Sequence, residues 1–570
     1  MAAVSEKITA TTTAPTADGP VQRVWSRRDG PGSNGSVYER NGSVHTGSLD
    51  SADDLLHKMG YQPELVRSRS TLHVAFMSFV LASIPYGLAT TLYYPLQGGG
   101  PAVVIWGWVL VSLIILCVAA SLGEITSVYP TAGGVYYQTF MLAPQKFRRI
   151  AAYLCGWAYV VGNITITLAV QFGTTLFFVA CVNVFEVEPG VGIWDAKTYQ
   201  IYLLFVAITL LCGLISTLGN RWLPILDTFA IIWTFVGLLA ILITVLAVAK
   251  LGRRSGAYVF GGFEPEVTGS GWPAGWSFMV GLLHAAYATS STGMVISMCE
   301  EVQSPATQVP KAMVATICLN LVGGLLFLVP LMFVLPDIQM LVGLASGQPT
   351  PTIIKSAVGS SVGAILLLLP LMVLAILCGT ACTTASSRCT WAFARDGAIP
   401  GSKWWKQVNH KLDVPLNAMY LVLIVQILLG LIYFGSSTAF NAFSGVGVIS
   451  LTISYASPIA VSVWEGRRQV KQHAKFYLGK FGWFTNCVAL AWSCLAVPLF
   501  CMPAYIPVTA QTVNYAPVVF VAFTLMSAIW YWVWGRKNYQ GPPKEDLSES
   551  LGPELPHTEA LAAGTAKKDF

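Results

Sequence analysis

Charged side chains are scarce in this chain. Asp, Glu, Lys and Arg make up only 11% of its 570 residues, whereas about 25% is usual in soluble domains. Hydrophobic residues reach 54%, and they gather in long runs rather than alternating with polar residues. The composition therefore excludes an ordinary soluble protein and predicts an all-α polytopic membrane protein.

Sequence features of several other protein classes are also missing. The chain has no phosphate-binding Gly-Lys-Ser/Thr loop and no cluster of metal-ligand residues at a recognised spacing. Its twelve cysteines lie inside or at the ends of apolar runs, without His or carboxylate partners beside them, and are interpreted as packing residues. Basic residues form short tracts instead of one basic face. We therefore expect no enzyme, metal, cofactor or nucleic acid partner.

Twelve apolar runs have the length that a helix needs to cross a lipid bilayer. The predicted spans are 72–96, 102–122, 150–182, 200–219, 223–249, 274–298, 312–335, 353–386, 416–434, 438–464, 482–502 and 514–534. Both polar ends of the chain are interpreted as disordered. The predicted divisions are a tail (1–70), five spans (71–249), five further spans (250–465), two more spans (466–535) and a second tail (536–570).

The distribution of basic residues predicts the orientation of these spans. An even number of spans puts both termini on one side. If that side is the cytoplasm, the inner segments hold 28 of the 33 Lys and Arg residues and the outer segments keep 5. Because Lys and Arg are enriched in cytoplasmic loops, we predict that both termini are cytoplasmic.

Two predicted spans are interrupted at mid-length. The first span contains Ser83, Ile84, Pro85, Tyr86 and Gly87. Pro removes a backbone donor and Gly permits non-helical geometry. The sixth span is interrupted by residues 288–293, ATSSTG. Freed backbone groups at membrane depth must face protein, a cavity or a ligand.

The two interruptions lie five spans apart. Spans one to five begin on one side of the membrane and spans six to ten on the other, so the two groups are predicted to form a five-plus-five inverted repeat, with two extra helices. Broken helices in corresponding positions of two halves indicate a secondary transporter with its site between the breaks.

Three sequence runs point to one family. They are AASLGEITSVYPTAGGVYYQTFMLAP (119–144), CEEVQSPATQVPK (299–311) and SSRCTWAFARDGAIP (386–400). They resemble signatures of the amino acid-polyamine-organocation transporters, and particularly of the fungal amino acid/choline branch with its GABA and choline permeases. The resemblance implies a secondary-active permease in a fungal plasma membrane, coupled to protons.

Acidic and basic residues converge on the predicted cytoplasmic ends of the spans. Glu124 follows the second span, Glu300 and Glu301 end the sixth, and Arg388 and Arg395 end the eighth. We interpret these five residues as an inner gate in which Glu124 pairs with Arg388 or Arg395. The alternative is that they are solvated helix ends.

Ionisable residues are nearly absent at mid-depth. The predicted spans hold no Asp or Glu there, and His284 is the one ionisable side chain well inside a span. Because His titrates near physiological pH and intramembrane ionisable groups are functional candidates, His284 is the candidate for proton coupling. A neutral histidine bonded to a neighbouring helix is the alternative.

Half-helix ends can hold a zwitterion without charged side chains. The predicted substrate contacts are Ser83, Ile84, Pro85, Tyr86 and Gly87 in the first break, Tyr287, Ala288, Thr289, Ser290 and Ser291 at the second, and Asn163 and Thr380 on the third and eighth spans. Family members often carry a Gly-Ser-Gly cradle in the first break, which this chain lacks. Tyr faces suit an ammonium group equally well.

These observations predict a permease that imports an amino acid, a GABA-like zwitterion or choline across the bilayer by alternating access, with protons as the coupling ion. Two alternatives stay open. One is a non-transporting nutrient receptor with the same fold. The other is a polyamine permease, although the absence of mid-depth carboxylates disfavours substrates with several positive charges.

Overall fold

The computed structural model of the protein describes residues 37–40, 43–46, 51–65, 67, 69–188, 191–344, 346–435, 439–503, 505–509 and 513–543. The chain divides into two units, one formed by residues 1–63 with 543–570 and the other by residues 64–542. The predicted disordered tails, 1–70 and 536–570, lie for the most part outside the described residues.

The described part of the smaller unit contains one hairpin and one helix. Strands Val37–Arg40 and Ser43–Thr46 pair antiparallel, and the helix is Ser51–Lys58.

The larger unit consists almost entirely of helices, because a helix satisfies its own backbone groups in an apolar environment. Its principal helices are α1 Thr71–Ala82, α2 Ile84–Thr91, α3 Pro101–Val128, α4 Arg148–Val182, α5 Thr198–Leu218, α6 Leu223–Val248, α7 Ala274–Gly281, α8 Leu283–Thr289, α9 Pro305–Phe333, α10 Ser361–Arg395, α11 Leu416–Gly430, α12 Ala439–Trp464, α13 Phe481–Leu499 and α14 Ala516–Trp530. The long helices α4 and α10 pack against each other, and α4 also packs against α12. These contacts place α4 in the interior of the bundle.

Shorter elements connect these helices. The short α-helices are Tyr93–Gln97, Gly134–Leu142, Gly256–Gly261, Pro265–Thr268, Ile338–Val342, Pro349–Val358, Ser402–Trp405, Arg468–His473 and Arg536–Asn538. Segments Asn220–Trp222, Ser290–Glu301 and Leu431–Phe434 are 3-10 helices, and Tyr531–Gly535 is a π-helix. Strands Glu186–Glu188 and Val191–Gly192 form an antiparallel hairpin between α4 and α5.

Eleven helices in the described parts of the chain are long and apolar enough to cross a membrane. The predicted span missing from this set is the sixth, 274–298. Its residues are apolar, but they are divided among α7, α8 and a 3-10 helix, so that no one of these pieces has the required length. The all-helical membrane fold is thereby confirmed, and the count of twelve spans and the inverted repeat stay predictions.

The interruption of the first span is shorter than predicted. Only Ser83 leaves helical geometry, with φ 37° and ψ 52°, and α2 begins at Ile84. Pro85 therefore lies in the first turn of α2. N–H groups in the first turn make no intrahelical hydrogen bond, so the missing N–H of Pro85 does not weaken the helix. Gly87 lies within α2 and faces Ala288: a Cβ added at Gly87 would lie 3.5 Å from the Cβ of Ala288, which is an ordinary contact distance.

The interruption of the sixth span is longer than predicted. The chain leaves α-helical geometry at Leu282, between α7 and α8, and again after Thr289. From Ser290 to Glu301 it continues as a 3-10 helix of 12 residues. Runs of 3-10 helix longer than three or four residues are uncommon, and within a helix they often mark a hinge. Among the described segments of the predicted spans, this one departs furthest from α-helical geometry.

Candidate functional site

A central cavity lies where the two interrupted spans meet. Residues of α1, α2, α4, α8, α10 and the 3-10 helix Ser290–Glu301 line this cavity. Its lining residues are Leu81, Ala82, Tyr86, Gly87, Ile166, Val170, Tyr287, Ala288, Ser290, Ser291, Cys378 and Cys382, and the space between their atoms measures about 300 Å³. All twelve side chains are uncharged. Six of the predicted substrate contacts are thus brought together: Tyr86, Gly87, Tyr287, Ala288, Ser290 and Ser291.

The two tyrosines of the central cavity differ in how their hydroxyl groups are used. The Tyr86 hydroxyl donates to the Val170 carbonyl oxygen at 2.8 Å and lies 2.7 Å from Thr174 Oγ1, so α4 fixes its ring. The Tyr287 hydroxyl is buried and has no hydrogen-bond partner among the described residues. Since buried polar groups are nearly always paired, the Tyr287 hydroxyl is exceptional among the polar groups of this lining.

The last carbonyl groups of α1 accept from one backbone N–H and from three side chains. Ser83 N donates to the Phe79 oxygen at 2.8 Å and Ser83 Oγ to the Val80 oxygen at 2.5 Å. The thiols of Cys378 and Cys382 approach the Leu81 oxygen at 3.7 Å and 3.9 Å. These two cysteines line the cavity and were interpreted from the sequence only as packing residues, because nothing in their one-turn spacing on α10 points to α1.

Two tyrosines from neighbouring helices hold the start of the 3-10 segment. The Tyr455 hydroxyl donates to the Ser290 carbonyl oxygen at 3.0 Å, and the Tyr159 hydroxyl donates to the Gly293 oxygen at 3.1 Å. Neither tyrosine was predicted. Each stands in an ordinary apolar run, and only the folded arrangement shows that it supplies a donor to the irregular backbone.

The remaining predicted substrate contacts lie elsewhere. Thr289 lines a neighbouring cavity that also contains Tyr455. Asn163 donates its amide to the Tyr159 carbonyl oxygen at 2.8 Å. Ser83, Ile84 and Pro85 are buried at the turn between α1 and α2. Thr380 lines a third cavity, which is described below.

His284 connects α8 to α2. Its side chain is 1% exposed, and its Nδ1 atom lies 2.9 Å from Thr91 Oγ1. The other ring nitrogen has no hydrogen-bond partner among the described residues. The histidine thus connects the two interrupted spans, three positions before the cavity residue Tyr287 in the sequence.

One end of the bundle, which we call the charged end, carries a cluster of four buried ionised groups. Glu301 accepts from Arg388 Nε at 2.8 Å and from Arg69 Nε at 3.0 Å. Arg69 also donates from Nη1 to Asp227 at 3.1 Å. Burial alone would raise the pKa of Glu301, but the guanidinium groups of Arg388 and Arg69 hold it below its usual range.

Arg69 and Asp227 were not predicted as site residues. Arg69 falls in the segment that was interpreted as a tail, yet its backbone N–H donates to the Glu301 oxygen at 3.1 Å and its carbonyl accepts from Gln303 N at 3.2 Å. Asp227 stands one turn into α6, where a carboxylate is common at a helix start. The sequence does not reveal that the two residues meet.

The other gate candidates form two separate ion pairs at the charged end. Glu300 accepts from Arg395 through both oxygens, at 3.0 Å and 2.9 Å, and from the backbone of Ala132 at 3.1 Å. Glu124 accepts from Arg467 at 2.5 Å and from the Leu478 backbone at 2.8 Å. The predicted pairing of Glu124 with Arg388 or Arg395 is therefore wrong, because those arginines are engaged by Glu301 and Glu300.

The site thus combines an uncharged cavity between two irregular backbone segments with ion pairs at one end of the bundle. Ends of helices carry partial charges, and the C-terminal end of α1 meets the N-terminal end of α2 at this cavity. The ion pairs connect separate helices without reaching the cavity.

Comparisons with known proteins agree with this arrangement. The family model described as amino acid permease matches residues 70–523. The chain is similar to three Saccharomyces cerevisiae proteins. The choline transporter is 30% identical over 512 residues, covering 89% of each chain. The GABA-specific permease is 28% identical and covers 91% of this chain and 92% of the relative. The polyamine transporter TPO5 is 28% identical and covers 84% and 77%.

Proposed function

We propose that this chain, which belongs to the amino acid permease family and is a transmembrane permease for small nitrogenous solutes, imports a small zwitterion. The proposed mechanism is alternating access coupled to protons. The zwitterion is an amino acid or a GABA-like compound. The single observation that carries this choice is the uncharged central cavity at the meeting point of the two interrupted spans.

The ends of α1 and α2 explain how an uncharged cavity holds both charges of a zwitterion. The first N–H groups of α2 have no intrahelical acceptor, and the positive end of the helix dipole favours a carboxylate. On the other side of Ser83, the negative end of the α1 dipole lies at Leu81 and Ala82 and favours an ammonium group, although two weak thiol donors already approach the Leu81 carbonyl oxygen. The two opposite half-helix ends meet at Ser83 and face one cavity, which matches the separated charges of a zwitterion.

The lining also supports a second candidate, choline. Tyr86 and Tyr287 place two aromatic rings at the cavity, and aromatic faces attract quaternary ammonium groups. A polyamine is disfavoured, because its two or more positive charges would have no carboxylate among the lining residues. A non-transporting nutrient receptor with the same fold would bind one of these solutes without moving it.

We place the charged end and both termini at the cytoplasmic side of a fungal plasma membrane, as the excess of basic residues favours. In this orientation the ion pairs of Glu301, Glu300 and Glu124 are the inner gate. The Glu301 and Glu300 pairs join the 3-10 helix to α10 and to the segment before α1, the Asp227 pair joins that segment to α6, and the Glu124 pair joins α3 to the loop after α12. Separation of these pairs would release the solute to the cytoplasm.

The test is uptake in a permease-deficient fungal strain. Radiolabelled GABA, alanine, choline and spermidine are supplied singly at pH 5 and pH 7, each with the others as competitors. Saturable uptake of GABA or alanine that is faster at pH 5 is expected. Uptake of choline alone would select the second candidate. Absence of uptake of all four by protein shown to be at the cell surface would contradict the permease proposal and favour the receptor.

A further inference from the structure

A third cavity separates the central cavity from the charged end. We call it the arginine cavity, because Arg69 lies in its wall. It is lined by Arg69, Met77, Val80, Leu223, Leu226, Asp227, Met298, Leu377, Thr380, Ala381 and Thr384, and its interatomic space measures about 350 Å³. The lining comes from α1, α6, α10 and the 3-10 helix, which are also the elements that the Glu301 cluster joins. The cavity therefore lies directly against the ion pairs that hold this end closed.

Asp227 is the buried acid of this lining. Asp227 is 6% exposed, and among the described residues its one ion-pair partner is Arg69, whose Nη1 atom lies 3.1 Å from a carboxylate oxygen. Glu301, by contrast, accepts from two guanidinium groups. Arg69 donates to both carboxylates, whereas Arg388 donates to Glu301 and not to Asp227. Of the two carboxylates in the cluster, Asp227 is therefore the one whose charge is less completely balanced.

We propose that Asp227 is a proton-binding site whose protonation opens the charged end to the arginine cavity. The proposal rests on the proton-coupled transport proposed above and assigns a residue to it. One proton from the arginine cavity adds to a carboxylate oxygen of Asp227, and no other bond changes. The neutral acid then no longer balances Arg69.

The consequence follows from the charges of the cluster. Arg69, Arg388, Glu301 and Asp227 together carry no net charge when all are ionised, and protonation of Asp227 leaves one positive charge in excess. A buried charge without a balancing partner strongly destabilises the closed arrangement. Separation of the Arg69 segment from α6, with entry of water, relieves this cost. The proton thus weakens the contact between the segment before α1 and the first turn of α6.

The other charged groups near α6 do not replace this role. Arg69 and Glu301 are the two charged side chains that act on Asp227. The other charged and histidine side chains on the described elements that pack against α6 are engaged or exposed. Arg388 and Arg395 on α10 bind Glu301 and Glu300. His73 in the first turn of α1 lies 3.1 Å from Ser70 Oγ, Lys355 pairs with Glu186, and Lys311 on α9 and Arg221 just before α6 are exposed.

The experiment uses purified full-length protein in liposomes with the radiolabelled panel solute that the wild type takes up best. Two quantities are measured. One is accumulation against a concentration gradient, driven by an acid exterior. The other is counterflow, the exchange of labelled for unlabelled solute without a proton gradient. The variant is Asp227→Asn, which resembles the protonated acid, and the matched control is Glu186→Gln, which breaks the exposed pair with Lys355.

We expect the Asp227→Asn protein to retain counterflow and to let the solute reach equal concentrations on both sides of the membrane. The ratio of the inside to the outside concentration then falls to unity. Glu186→Gln is expected to behave as the wild type. Accumulation by Asp227→Asn with the wild-type pH dependence would overturn the assignment, and so would a folded Asp227→Asn protein without counterflow. If Asp227→Asn is not recovered in folded form, the double variant Arg69→Gln/Asp227→Asn removes both charges together and is judged by the same two outcomes.

The wild type separates failure of this inference from failure of the proposed function. Wild-type protein that shows counterflow but no proton-driven accumulation would contradict proton coupling itself. Wild-type protein without either activity for all four solutes would contradict the permease proposal. Only a wild type with both activities puts the role of Asp227 to the test, and in that case the variant decides it.

Discussion

The central cavity and the charged end bury polar groups in opposite ways. In the central cavity all lining side chains are uncharged, and backbone carbonyl groups next to it accept from hydroxyl or thiol groups. At the charged end, Glu301 and Glu300 are held by guanidinium groups at 2.8 Å to 3.0 Å. Polar backbone at the centre is a fixed part of the fold, whereas ion pairs at the end can separate.

This difference suits the two tasks of a transporter. A binding cavity at membrane depth must stay intact through the cycle, and hydrogen bonds to backbone give it a defined shape. A gate must alternate between two states of similar free energy, and ion pairs exchange readily with water when they become exposed. The predictions below test whether the two regions are separable in this way.

The largest effect is expected from Glu301→Gln. The substitution leaves Arg69 and Arg388 without their shared carboxylate, and loss of one partner of a buried pair destabilises a protein by about 3–5 kcal/mol. Thermal unfolding in detergent, followed by gel filtration, measures the change. Lys355→Ala, which breaks a half-exposed pair with Glu186, is the control and is expected to cost about 0–1 kcal/mol.

The same variant tests the pH dependence of this end. The folded-state pKa of Glu301 lies below its ordinary value, so its contribution to stability is present above about pH 4.3 and is lost as the pH falls through the lower folded-state pKa. Glu301→Gln is expected to lack this component of acid unfolding. An acid-unfolding curve that keeps the wild-type shape would show that Glu301 is not held as an anion.

Gly87→Leu is expected to abolish uptake while surface expression is retained, because the added side chain fills the central cavity next to Ala288. Gly87→Ala is the matched variant: its Cβ would make only ordinary contacts, at 3.5 Å or more, so uptake is expected to persist. Radiolabelled uptake with surface biotinylation distinguishes the two. Normal uptake by Gly87→Leu would remove α2 from the binding site.

His284→Ala tests whether the centre also takes part in proton coupling. If its free ring nitrogen accepts the coupling proton, the ratio of uptake at pH 5 to uptake at pH 7 is expected to fall toward unity. Thr91→Val, which removes the hydroxyl partner but keeps the imidazole, is the comparison variant. An unchanged pH profile in His284→Ala would assign the histidine to packing between α2 and α8.

The smallest effect is expected from Tyr287→Phe. Loss of one hydrogen bond to the solute costs about 0.5–1.5 kcal/mol, which raises KM a few-fold without a change in surface expression. Choline, which binds through the ring face, is expected to be less affected than a zwitterion. Competition curves for both solutes on the wild type and the variant measure the difference. Equal KM values for wild type and variant would exclude the Tyr287 hydroxyl from zwitterion binding.

Several features could be predicted because they depend on residues close together in the sequence. The apolar runs predicted helices, and Pro85 and Gly87 predicted an interruption of the first span. The extent of each interruption could not be predicted, because backbone conformation there depends on partners from other helices. Ser83 alone breaks the first span, and Tyr159 and Tyr455 hold the long 3-10 segment of the sixth.

The pairing of charges shows the same limit. The acidic and basic residues of the charged end were identified from their positions at span ends, but the partner of Glu124 is Arg467, which is separated from it by 343 positions. Arg69 and Asp227 are likewise 158 positions apart. Charge and position in the sequence do not determine which of several arginines a carboxylate meets.

The sequence by itself determined the environment of this protein and its class, because hydrophobic length and charge asymmetry act over local stretches of chain. It also identified six of the residues that line the central cavity. Only the tertiary structure decided which helices supply the other lining residues, which ion pairs form and where a buried acid is left with one partner. Those properties depend on contacts between distant segments, and such contacts exist only after the helices have packed.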